Sequence, residues 1–137
     1  MAADIARRWL GHVRRDLNTA WTAPRGPRAD AGNAAYFLQQ AAEKLIKGTL
    51  VIGEIRPPKT HDLTRLAEAL PNDHPMRQDL LALDDLTAYA VAFRYPDQPD
   101  VLPEPSLDEL DRWVERLEEL LVRAERLLAE QQAADGS

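Results

Sequence analysis

The chain contains no cysteine. Disulfide frameworks, thiolate metal sites and cysteine nucleophiles are therefore excluded together. Histidine is scarce, with three in 137 residues, and their spacing does not suit zinc. No glycine-rich loop is present to cradle a phosphate, and no metal or cofactor is expected. No apolar run approaches the ~18 residues that a membrane span needs. The first residues, Met1 to Arg8, lack the apolar core of a secretion signal. A cytoplasmic protein without membrane association is expected. Alternating strand patterns and internal repeats are also missing.

What is present is 45% hydrophobic residues, enough for a packed core. The length fits a single domain, read here as a bundle over 1–130 followed by a disordered tail at 131–137. The formal net charge of −6 argues against broad DNA or RNA coating. The charge is uneven along the chain. Residues 1–59 hold ten Lys/Arg against five Asp/Glu, and residues 60–137 hold seven against eighteen. A basic half suits phosphate and an acidic half suits a basic partner, although two differently charged solvent faces give the same pattern.

Apolar residues recur at spacings of three and four, so the spacing predicts helices throughout. Ile5, Trp9, Leu10, Val13, Leu17 and Trp21 form one stripe, closed by Pro24, Gly26 and Pro27. The three tryptophans, Trp9, Trp21 and Trp113, lie on such stripes and are expected in the core. A second helix is expected from Asp30, its N-cap, to Ile52. On it Gln39, Glu43 and Lys47 are spaced by four, as are Gln40 and Lys44. Thr60 is expected to cap a short helix bearing Leu63, Leu66 and Leu70, with Asp62 in its first turn. A fourth helix is expected over Met76–Phe93. A proline-rich connection follows, then a capping box at Ser106 and Glu109 that starts the last helix. The expected fold is all-α, an up-and-down bundle of four long helices plus one short helix.

Two segments carry more than periodicity. One is Gln39-Gln40-Ala41-Ala42-Glu43-Lys44-Leu45-Ile46-Lys47 with Pro57-Pro58-Lys59-Thr60-His61-Asp62-Leu63. The other is Tyr89-Ala90-Val91-Ala92-Phe93-Arg94-Tyr95-Pro96-Asp97. In this order they resemble the HEPN domain, the higher eukaryotes and prokaryotes nucleotide-binding domain, over about Ile5 to Leu128. The resemblance implies a helical bundle that forms a homodimer. It also implies a partner, a minimal nucleotidyltransferase, in a toxin–antitoxin-like pair, and a nucleotide or RNA as ligand. Many relatives are metal-independent ribonucleases that carry Arg, four to six residues, then His. Arg94 stands at the corresponding place here, and no histidine lies in the six residues after it. The Arg56 to His61 interval has the spacing but spans the proline connection.

The candidate nucleotide or phosphate contacts are Lys59, His61, Arg94, Tyr95, Lys44 and Gln40. Arginine and lysine bind phosphate, and Tyr95 offers a ring for a base to stack on. The catalytic candidates are Arg56, His61 and Arg94, in which the imidazole moves a proton and the guanidinium holds the phosphate. Simpler roles stand beside these. Lys44 and Lys47 suit a solvated face, and His61 suits packing or open water beside an already capped helix. Three functional readings follow: a nucleotide- or RNA-associated partner of a nucleotidyltransferase, a metal-independent endoribonuclease toxin, or a non-catalytic dimeric scaffold.

Overall fold

The computed structural model describes residues 2–88 and 105–136. Among these residues there is no strand. Helix α1 spans Ala2–Thr22 and α2 spans Ala31–Ile52. The short α3 is Leu63–Glu68 and α4 is Arg77–Leu81, followed by a 3₁₀ turn at Ala82–Leu86. The last helix, α5, runs over Leu107–Asp135. The expected all-α bundle is the observed architecture.

Helices α1 and α2 are antiparallel. Gly48 late in α2 faces Trp9 and Leu10 early in α1, and Lys44 meets Asp16. Helix α5 is antiparallel to α1. Arg14 donates to both carboxylate oxygens of Glu125, at 3.0 and 3.1 Å. Arg25 does the same to Asp111, at 2.8 and 2.6 Å. The core between them is aliphatic, with Leu10, Leu38, Leu45, Ile46, Leu117 and Leu121 all buried. Burial of such side chains contributes ~1.5–3 kcal/mol each and holds the three long helices together.

The caps follow local chemistry. Asp30 accepts from the Asn33 N–H and Ser106 from the Glu109 N–H, as expected. For α3 the cap is Asp62 rather than Thr60. Asp62 Oδ1 accepts from the N–H groups of Thr64 and Arg65, while Thr60 Oγ1 accepts from Asp62 N–H in the preceding turn. The expected fourth helix is interrupted within its described part. Leu80, Leu83 and Leu86 are all buried, and their even spacing of three is the repeat of a 3₁₀ turn. Thr87 and Ala88 are helical again, and the remainder to Phe93 lies outside the described residues. At the other end of the chain, α5 continues through Gln131–Asp135. The tryptophans are less buried than expected: Trp9 and Trp113 are half-buried, and Trp21 is 51% exposed beneath the Arg25 guanidinium, 3.9 Å from its ring centre. Cation–π stacking over an exposed ring replaces core packing there.

The turn before α4 is held by His74, whose Nδ1 accepts from the Met76 N–H at 3.0 Å. Burial lowers the His74 pKa, assisted by Arg123 and opposed by Asp73. The folded state therefore favours the neutral ring. That contribution is complete above the ordinary histidine value of 6.5 and is lost as pH falls from there through the lowered folded value. The urea midpoint is expected to drop between pH 7.5 and 5.5, and a pH series on His74→Asn, which lacks the titrating ring, is expected to be flatter over that interval.

Candidate functional site

The polar face of α2 organises the site. Gln39, Glu43 and Lys47 recur every four residues, and all three are largely removed from solvent. Glu43 is only 5% exposed. A buried carboxylate requires partners, and Glu43 has two. Lys47 Nζ donates to its Oε2 at 2.9 Å. His61, from the connection after α2, brings Nδ1 to 3.1 Å from both Glu43 oxygens. The His61 side chain is itself 82% exposed. With Glu43 as the acceptor, Nδ1 carries the hydrogen and Nε2 is presented to solvent. A fixed tautomer with an accessible second nitrogen is what proton transfer to or from a bound ligand requires.

A groove of about 590 Å³ lies beside this pair, between the first turns of α1 and the connection after α2. Its walls include Ile5, Trp9, Val51, Ile55, Pro57 and Pro58, with Lys47, Arg56, Lys59 and Glu54 at the charged positions. The connection leaves α2 through a left-handed residue. Glu54 has φ 59°, Glu54 N–H donates to the Val51 carbonyl, and Ile55 N–H donates to the Leu50 carbonyl. This pair of bonds is a Schellman closure, which ordinarily places glycine where Glu54 stands. Glu54→Gly is expected to raise stability by about 0.5–1 kcal/mol through relief of the left-handed strain, read from the urea midpoint.

The expected contacts are distributed as follows. Arg56 and Lys59 line the groove with Pro57 and Pro58, while His61 sits on Glu43 outside that lining. Lys44 turns away to Asp16, which is 5% exposed, with Nζ to Oδ2 at 2.6 Å. Gln40 Nε2 donates to Gln39 Oε1 at 2.9 Å. Arg94 and Tyr95 lie outside the described residues. Two participants are not identifiable from sequence. Glu43 reads only as one of a helical series, although its place between Gln39 and Lys47 is the signal of a buried polar row. The stripe that carries Ile5 and Trp9 reads as core, yet Ile5 is 47% exposed and both line the groove.

The bundle topology, with its long antiparallel α1–α2 pair covered by α5, is that of an all-α helical-bundle protein. The sequence profile of the HEPN domain matches residues 6–128, and the chain belongs to the HEPN domain family. Among solved structures, it is similar to the crystal structure of TT1696 from Thermus thermophilus, with 26% sequence identity and a TM-score of 0.71. That likeness covers 89% of this chain and 97% of the other. No curated protein matches the chain. Among the described residues, no helix is long and apolar enough to cross a membrane.

Proposed function

We propose that this HEPN protein associates with a nucleotide or RNA, and that it acts as a homodimer beside a minimal nucleotidyltransferase. The observation that carries the ligand reading is the exposed His61 imidazole held by a buried carboxylate, on the same connection as the groove-lining Arg56 and Lys59. Neither of those cations has an ion-pair partner among the described residues. Unpaired cations attract phosphate, and each contact adds salt dependence. Lys59 and His61 are the proposed primary contacts. Arg94 and Tyr95 are proposed to join them, while Lys44 and Gln40 hold the α2 face behind them. Fluorescence anisotropy with a labelled short RNA and with a labelled nucleotide tests the reading. Binding is expected to weaken as salt rises, and Lys59→Ala and Arg94→Ala are each expected to reduce affinity several-fold and to flatten the salt slope. Unchanged affinity in both variants removes these residues from the site. Absence of any binding leaves the dimeric scaffold. Co-purification with a nucleotidyltransferase encoded beside the gene tests the partner.

The Glu43–His61 pair also favours a second reading, a metal-independent ribonuclease. His61 Nε2 would accept the proton of an RNA 2′-hydroxyl while the 2′-oxygen bonds to phosphorus, the bond to the 5′-oxygen breaks, and the departing 5′-oxygen takes a proton from water. Arg56 would stabilise the charge on the phosphate. RNA cleavage that persists in EDTA and disappears in His61→Ala supports this chemistry. RNA left intact by the wild-type protein in EDTA rules it out.

A further inference from the structure

The groove beside α1 is more apolar than phosphate contact alone requires. Ile5, Trp9, Val51 and Ile55 supply hydrocarbon and aromatic wall, and Pro57 and Pro58 supply a rigid one. Ile5 is 47% exposed, an apolar side chain left open to water inside a concave surface. Only Glu54 is acidic among the lining residues, against Lys47, Arg56 and Lys59. Lys47 is already held by Glu43, and its ammonium lies 5.5 Å from the Trp9 ring centre. Arg56 and Lys59 make no ion pair among the described residues.

We propose that this groove binds a small organic anion with an apolar body. Its body lies on Ile5, Trp9 and Val51, and its acid group meets Arg56 and Lys59. Concave apolar walls with a few convergent charges are the usual form of a small-molecule site, and a volume of about 590 Å³ admits a ligand of mononucleotide or medium-chain acid size. The excess of positive charge in the lining, Lys47, Arg56 and Lys59 against Glu54, favours an anion. The apolar wall selects a hydrophobic body, because inorganic phosphate would leave it in contact with water. The site shares Arg56 and Lys59 with the proposed RNA contact and differs from it in using the apolar wall and not His61, which lies outside the groove lining.

The fluorescent sulfonate 1-anilinonaphthalene-8-sulfonate has both required parts and serves as the probe with the full chain. It is expected to bind at one site with enhanced emission. The Arg56→Glu/Lys59→Glu variant is expected to weaken it about tenfold or more, and the polar substitution Ile5→Gln about threefold to fivefold. Circular dichroism establishes that each variant is folded. His61→Ala is expected to leave the probe affinity unchanged, so failure of the RNA reading and failure of this one are separable. Displacement by adenosine monophosphate identifies a nucleotide as the ligand chemistry, and displacement by octanoate identifies an acyl or related acid. Displacement by inorganic phosphate as efficient as by either overturns the proposal, and so does probe binding indifferent to both sets of substitutions.

Discussion

Glu43→Ala is expected to cost about 2–3 kcal/mol and to lower the melting temperature by roughly 8 °C. The carboxylate is buried and satisfied twice, by Lys47 and by His61. Its removal strands the Lys47 ammonium, whose side chain is only 14% exposed. The long lysine stem reaches towards water and recovers part of the loss, which places the value below the upper range for broken buried pairs. Glu43→Gln, which keeps volume and one acceptor oxygen, is expected to cost about half as much. His61→Ala is expected to change stability little, because its ring is already solvated. A double-mutant cycle between positions 43 and 47 is therefore expected to show strong coupling, and one between 43 and 61 weak coupling in stability. Any RNA affinity or cleavage reverses that order, with 43 and 61 coupled through the orientation of the imidazole. Thermal unfolding and RNA assays on the same variants check both halves. A stable Glu43→Ala protein with full RNA response would remove Glu43 from both roles.

The second large effect is expected at Gly48. A Cβ there would lie 3.0 Å from Leu10 Cδ2 and 3.1 Å from Trp9 Cβ. The Leu10 methyl has some freedom to shift, but the Trp9 Cβ moves only with the α1 backbone. Gly48→Ala sets a helix-propensity gain of about 1 kcal/mol against this crowding, and the two nearly cancel. Gly48→Leu has no such compensation and is expected to cost about 3 kcal/mol by prising α1 from α2. Because Trp9 and Lys47 both line the adjoining groove, probe binding is expected to fall in parallel. Chemical denaturation monitored by tryptophan fluorescence measures the first effect. Wild-type stability in Gly48→Leu would show that the helices do not meet as described.

The long helices are readable because apolar spacing and caps agree. Asp30 and Ser106 sit where a side-chain oxygen satisfies free amides, and the stripes that follow them are those that become buried. Thr60 and Asp62 show where that logic loses resolution. Both are good caps, and only the path of the turn decides which oxygen meets the α3 amides. Leu80, Leu83 and Leu86 fit a helix as well as a 3₁₀ turn until packing on α2 chooses between them. The candidate site is partly legible. His61 and Lys59 stand out by type and by their place after two prolines. The role of Glu43 is hidden because an acid four residues from a lysine reads equally as a solvated pair, and its burial depends on neighbours distant in sequence. Trp9 is hidden because one apolar stripe serves both a core and a groove wall.

The α1–α2 hairpin turns over residues 23–30, whereas α5 joins it only after the chain has passed through the short helices. Closing the near pair costs little loop entropy, and closing α5 costs more. During synthesis both arms of the hairpin leave the ribosome well before α5 exists. The carboxylate at 43 thus meets Lys47 within its own helix, and His61 soon afterwards, while the side of the hairpin destined for α5 still lacks its cover. The side of the hairpin that carries the Glu43–His61 pair can therefore close before the side that α5 covers.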